Sequence, residues 1–484
     1  MNNLIILAVF ALYLVILLGL GYLADLKFSK KFEDFIAGGK KFGAIIAAIS
    51  AGASAESAWV MLGLSGYGYL HGIRAFWAAL GCLLGYFLNA TLIAKKLRKE
   101  SGQLGSYTLT EFIADKAGDK GFLIRGVASL IILIFFTSYV VAQFIGSGKT
   151  MDSMGIASYK VGVLVGGIIV GLYVLLGGYA SVCWSDVLQG FLMMAIFIIL
   201  PIFGIFKAGG IKQIAQLLQG TSLGNPWKNP AGDIAFGFII GELGISLGYI
   251  GMPHYVVRFI NIKSVKEAKK AALIAYSWGF FTFFGSVALG IIARALLPGL
   301  TDAEQALPTF IRVYTHPVLA GIALSAITAA IMSTADSQLM YAATAFVNDL
   351  YKKVLEKSKI KVTDRELILL IRYLISAIAI FAVILALLKV QFIYRYVLDY
   401  AWCALGASFG SALILALYHK KFNKWSAFTS LLLGACLTYL WNLLSLQKYI
   451  KVYNLVPIFF ITLLIGWLVG EITHSPSSTS DIPK

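Results

Sequence analysis

The sequence predicts an all-α membrane protein of about thirteen transmembrane helices, and three observations point there. Of 484 residues, 59% are hydrophobic and only 13% charged, too apolar a balance for one soluble core. Apolar runs of bilayer-spanning length recur from end to end, and continuous runs rather than alternating ones select helices over a barrel. The basic residues gather in alternate loops.

Taken in order, windows of about 20 residues mark spans near 3–23, 42–66, 72–94, 123–146, 159–179, 185–206, 234–255, 271–293, 317–347, 368–388, 396–418, 426–444 and 454–471. The first, in NNLIILAVFALYLVILLGLGYLADLKFSKK, has no basic n-region and no small-residue cleavage site, and so reads as a retained helix rather than a signal peptide. The net charge of +17 would fit nucleic acid if it were spread evenly. Instead it follows the loops after odd-numbered spans: Lys27, Lys30, Lys31, Lys40 and Lys41; Lys95 to Arg125; Arg258 to Lys270; Lys352 to Arg372; and Lys420, Lys421, Lys424 and Lys484. About 28 of the 40 cations therefore share one side, which the positive-inside rule makes cytoplasmic. An odd span count then puts the N-terminus outside and the C-terminus inside. Nucleic acid is excluded as a partner, and no obligatory protein partner is implied; the bilayer is the expected surroundings.

Cys82, Cys183, Cys403 and Cys436 lie in apolar segments at no metal-ligand spacing and read as free thiols. No P-loop and no HExxH motif occurs, no linker separates a soluble module, and the tail THSPSSTSDIPK reads as disordered. The work of the chain is expected inside the bundle, as transport rather than enzymatic catalysis.

The second and seventh spans are interrupted. SAGASAESAW at 50–59 sets Glu56 among glycine and serines, and GELGISLGYIGMPHYVVRF at 241–259 carries Gly248, Gly251 and Pro253. Five helices separate one from the other, so spans two to six and seven to eleven would form two five-helix units crossing the membrane in opposite directions. Broken helices at matching places in such units point to a midplane binding site. The alternative is that glycine and proline only kink packed helices.

The ninth span, SAITAAIMSTADSQLMYAATAF at 325–346, buries Ser333, Thr334, Asp336, Ser337 and Gln338. Ala330, Ser333, Thr334 and Ser337 share one face by their spacing of three and four. A hard monovalent cation takes neutral oxygens of this kind together with carbonyls freed by a broken helix. The competing reading has each hydroxyl bonded to the carbonyl one turn back.

Together with GGYASVCWSDVLQGFLM and AWCALGASFG, and in this order, these stretches resemble the sodium/solute symporter family, most closely its sodium/proline symporter branch, over about residues 33–440. The resemblance implies a LeuT-type core of two inverted five-helix repeats. Residues 1–33 would be an extra N-terminal helix, 34–210 the first repeat, 211–420 the second, 421–471 two further helices and 472–484 a short cytoplasmic tail. It implies sodium as the co-transported ion, with no organic cofactor. The sodium ligands would be the backbone carbonyls of Ala53, Glu56 and Ala330 and the hydroxyls of Ser333 and Thr334. A second cation site, present in some members, would involve Asp186, Asp336 and Ser337; the aspartate at 336 departs from the hydroxyl those members carry. Asp186 could instead pair with a loop cation.

Solute contacts would fall on Ser57, Tyr139, Gln143, Ile245, Tyr249 and Pro253. Proline transporters place an aspartate and an apolar residue where this chain has Ala55 and Glu56, and a tryptophan where it has Ile245. The implied activity is sodium-coupled import of a small organic solute by alternating access, first an amino acid such as proline. A monocarboxylate or other metabolite is the alternative solute, and a transporter-like receptor or sensor is the rival of another class. A lone ionised carboxylate at the bilayer centre costs at least ~2.5 kcal/mol, so three readings of Glu56 stand: balance by sodium, protonation, or an aqueous vestibule. Glu242 reads as vestibule-lining or hydrogen-bonded, and Trp59, Trp77, Trp402 and Trp441 as packing or interfacial.

Overall fold

The computed structural model describes residues 3–28, 31–219, 222–227, 236–388 and 392–474. Lys30, Lys484 and the tail from 475 lie outside them. The principal helices are α1 (Asn3–Phe28), α2 (Ala44–Ala55), α3 (Ser65–His71), α4 (Phe76–Leu88), α5 (Leu123–Ser153), α6 (Tyr159–Leu176) and α7 (Tyr179–Lys207). The second half of the chain supplies α8 (Phe236–Gly251) and α9 (Pro253–Ile260), α10 (Val265–Leu296), α11 (Pro317–Thr344) and α12 (Asp364–Leu388), α13 (Ile393–Tyr418), and α14 (Lys424–Leu443) and α15 (Leu455–Thr473). Among the described residues there is no strand, only an isolated parallel bridge between Phe42 and Ile262.

Ten helices are long and apolar enough to cross a membrane, or eleven with the bent pair α8 and α9 taken as one span. The sequence windows count thirteen. The difference is α2 and α6, each apolar but shorter than a full span; the window 42–66 joins α2 to the start of the long helical stretch Trp59–Leu104.

Local rules explain many of the ends. Ser264 accepts from the Glu267 backbone N–H to open α10, and Asn423 does the same for Trp425 and Ser426 at α14, each satisfying N–H groups that have no partner in the first turn. Pro253 and Pro317 stand at helix starts, where no N–H is needed. Pro253 also forces the residue before it into an extended conformation: Met252 has φ −75° and ψ 106°, and α8 and α9 meet at a bend of 49°. The first break has no proline. Glu56, at φ −99° and ψ 75°, ends α2, and a π-helical segment Trp59–Leu64 leads into α3.

Hydrogen bonds gather the basic loops at one face. Lys263 N donates to Phe42 O at 3.0 Å, Lys40 Nζ to Ser106 O at 2.9 Å, Arg98 Nε to Ile262 O at 2.7 Å and Tyr418 Oη to Leu92 O at 2.7 Å. At the other ends of these helices Tyr69 Oη donates to Leu297 O at 2.7 Å and Trp77 Nε1 to Pro226 O at 2.9 Å. One cation of the basic set is misplaced by the loop count: Arg258 is 2% exposed and lies in the core. All four cysteines are free, three buried and Cys436 exposed.

Candidate ion and solute site

The hydroxyls of α11 cross to the broken helix. Ser333 Oγ donates to Ala53 O at 2.9 Å and lies 3.3 Å from Ala330 O; Thr334 Oγ1 donates to Ser54 O at 2.9 Å. Both residues are fully buried. Thus Ala53, Ala330, Ser333 and Thr334 come together as expected, and Ser54 joins them. Its carbonyl also receives His254 Nε2 from α9 at 3.0 Å, so one carbonyl at the first break touches the element that follows the second. Carbonyls and hydroxyls at such spacing form an all-oxygen cradle for a hard cation, and the hydroxyls need only turn to offer lone pairs in place of protons.

The Glu56 side chain points away from this cradle. Its carboxylate accepts from Thr282 Oγ1 at 2.7 Å, Trp278 Nε1 at 3.0 Å and Tyr86 Oη at 3.4 Å. At 0% exposure it faces no aqueous vestibule, which corrects that reading. Among the residues missed by sequence reasoning, Trp278 and Thr282 carried a usable signal: they are spaced i, i+4 on one face of α10, with Thr282 polar in an apolar run.

Ser57, Tyr139 and Gln143 cluster at the break. Ser57 Oγ lies 3.4 Å from Tyr139 Oη, and the Ala58 N–H donates to Gln143 Oε1 at 3.0 Å. Ile245 and Tyr249 sit in a second cluster around Trp402, whose Nε1 donates to Ile245 O at 3.1 Å and whose ring lies 4.6 Å from that of Tyr249. Tyr86 lies 5.1 Å from the Tyr249 ring and is bonded to the Glu56 carboxylate. Trp402, read as packing, therefore stands at the second break. Pro253 sets that break through Met252.

Asp186 does pair with a cation, but a buried one. Its Oδ2 accepts from Ser50 Oγ at 2.6 Å and from Arg258 Nη2 at 3.3 Å. The same guanidinium donates to Ser337 Oγ at 2.7 Å, Ser50 Oγ at 3.1 Å and His254 O at 2.5 Å. Asp336 is fully buried, and neither of its carboxylate oxygens, nor Asp186 Oδ1, has a well-formed hydrogen bond among the described residues. Glu242 is hydrogen-bonded and also lines a cavity: it accepts from Tyr67 Oη at 2.5 Å and Tyr394 Oη at 2.9 Å, at the edge of a space of about 680 Å³ that Ile245 and Arg395 also border.

The family model described as the sodium:solute symporter family matches residues 35–434. The chain belongs to that family. The osmoregulated proline transporter OpuE of Bacillus subtilis is 34% identical to this symporter over 97% of its chain and 95% of the relative. A sodium/proline symporter of Staphylococcus aureus is 31% identical over 97% and 93%. Among solved structures, a Na+-coupled sialic acid symporter in a substrate-bound outward-open state superposes with a TM-score of 0.77 at 20% identity, over 97% of each chain. MhsT in complex with L-phenylalanine does so at 0.52 and 15% identity, over 90% of this chain and 99% of that one. The symporter thus has the LeuT-type fold.

Proposed function

We propose that this sodium-coupled symporter imports proline or a close amino-acid relative by alternating access. The observation that carries this is the bonding of Ser333 and Thr334 to the carbonyls of Ala53 and Ser54 at the break of the first repeat. Sodium held by those carbonyls, by those of Glu56 and Ala330, and by the two hydroxyls ties α2 to α11 and completes the solute pocket. It leaves inward after the solute. Such a cycle requires sodium and solute to bind the outward and inward forms unequally.

The solute is held by Ser57, Tyr139 and Gln143 on one side and by Ile245, Tyr249 and Pro253 on the other. The names of relatives that share nearly the whole chain support proline; Ile245, in place of a large aromatic, supports a wider pocket that also admits a monocarboxylate. A second cation position lies around Asp186, Asp336 and Ser337, where Asp186 pairs with Arg258 and three oxygens of the two buried carboxylates lack a well-formed hydrogen bond among the described residues. The segments 1–33, 34–210, 211–420, 421–471 and 472–484 are the N-terminal helix, the two repeats, the two last helices and a cytoplasmic tail, with the N-terminus outside.

Proteoliposomes test this. An inward sodium gradient is expected to accumulate labelled proline, and preloaded proline to drive counterflow; binding without counterflow would make the protein a sensor, and lactate accumulation without proline a monocarboxylate carrier. Sodium, but not potassium, is expected to raise the midpoint of thermal unfolding, since a ligand stabilises the form that binds it.

A further inference from the structure

Among the described residues the Glu56 carboxylate hydrogen-bonds to Tyr86, Trp278 and Thr282, not to the oxygen cradle or the Ser57 cluster. All three of its donors are neutral and come from two other helices, Tyr86 of α4 and Trp278 and Thr282 of α10. The approach of Trp278 is built in. A Cβ at Gly52 would stand 3.0 Å from its Cδ1 and Nε1, and one at Gly190 2.9 Å from its Cη2. Glycine at 52, one turn before Glu56, leaves room for the indole whose N–H reaches the carboxylate.

The same helix grips the far side of the break, since Ser286 Oγ of α10 donates to Val60 O at 2.6 Å. Between these grips the Glu56 N–H closes the last turn of α2 on Gly52 O at 2.9 Å. Ala53 and Ser54, inside that turn, aim their carbonyls the other way, at α11. The torsion at the break, and with it the direction of the two carbonyls, is therefore clamped from α10 and α4 through one carboxylate.

We infer that Glu56 is a positioning residue that sets sodium affinity through its side chain, by fixing the backbone carbonyls that bind the ion. The inference rests on the sodium site proposed above. A carboxylate suits the task because it only accepts hydrogen bonds and can take all three donors, whereas an amide presents a donor to at least one of them.

Sodium activation of proline uptake tests the clamp. Glu56→Ala is expected to raise the sodium concentration for half-maximal uptake about tenfold or more, and Glu56→Gln by less, at the scale of hydrogen bonds to a charged group. The solute KM at saturating sodium stays where it was. Thr282→Val and Trp278→Phe move the same parameter in the same direction. Glu56→Ala with Thr282→Val is no worse than Glu56→Ala alone, because residues acting through one contact are not additive. A higher solute KM at saturating sodium with unchanged sodium activation, or fully additive effects, would overturn the inference. Should Glu56→Ala fail to fold, unchanged sodium activation in Thr282→Val overturns it alone. Sodium-independent uptake by the unmodified protein, or Ser333→Ala without effect, would instead sink the sodium site itself.

Discussion

Ser325 and Ser333 lie about two turns apart on one helix and behave differently. Ser325 Oγ bonds to Gly321 O at 2.9 Å, one turn back on its own helix, while Ser333 crosses to Ala53 on α2. That difference sets Ser333 apart from an ordinary helix hydroxyl and is what the proposed sodium site draws on. Ser333→Ala and Thr334→Ala are each expected to raise half-maximal sodium roughly 10- to 100-fold, equivalent to about 1.5–3 kcal/mol per lost charge-assisted contact, with folded yield unchanged; a sodium titration of uptake checks it. The buried pair of Asp186 and Arg258 behaves otherwise, since removing one partner strands the other charge. Arg258→Ala is expected to cost about 3–5 kcal/mol, read as a fall in the thermal midpoint that Asp186→Asn in the same chain largely restores. The hydroxyl pair was legible as two adjacent polar residues in an apolar span. Arg258 was not, because a cation at the end of a hydrophobic window looks the same whether its helix stops in water or dips into the core.

The two breaks have different causes at the scale of the element. The second was legible, because proline at 253 dictates the extended Met252 before it. The first was visible as composition only. Small residues make α2 easy to end, but the turn at Glu56 is held by contacts from α4 and α10 that no local pattern contains. The second break also depends on close approach. A Cβ at Gly251 would strike the backbone nitrogen of Gly410 on α13, and one at Gly248 the indole of Trp402. Gly251→Ala is accordingly expected to abolish uptake and lower the thermal midpoint, since backbone cannot swing aside. Gly171→Ala, whose Cβ meets nothing within 4 Å, is expected to leave both unchanged; equal behaviour of the two variants would show that the contact at α13 does not matter.

Across the whole molecule the basic loops meet at one face. In a chain with Cys436 replaced by serine, Lys99→Cys is expected to react with an impermeant maleimide only from the cytoplasmic side, and Gln216→Cys only from outside; the reverse pattern would invert the orientation. At the same basic face, burial, with Arg98 beside it, pulls the Lys40 ammonium down to about 8 from 10.5. The folded protein releases this proton before the unfolded chain does, so the Lys40 contribution to stability rises with pH across that window. Lys40→Gln is expected to flatten the rise in a thermal-unfolding series from pH 8 to 10.5, and an unaltered slope would show the group to be ordinary.

The sequence by itself determined that the chain is a helical membrane bundle, that two spans break, and that a pair of adjacent hydroxyls lies buried on the ninth. Each of these follows from local quantities: apolar run length, the backbone limits of proline and glycine, and polar atoms that hydrocarbon cannot satisfy. Only the tertiary structure decided the partners of the buried charges, Glu56 with α4 and α10 and Asp186 with Arg258, and added Ser54 to the cradle. Those pairings join helices far apart in the chain, and which faces meet is set by how the whole bundle packs, a property that no window of residues carries.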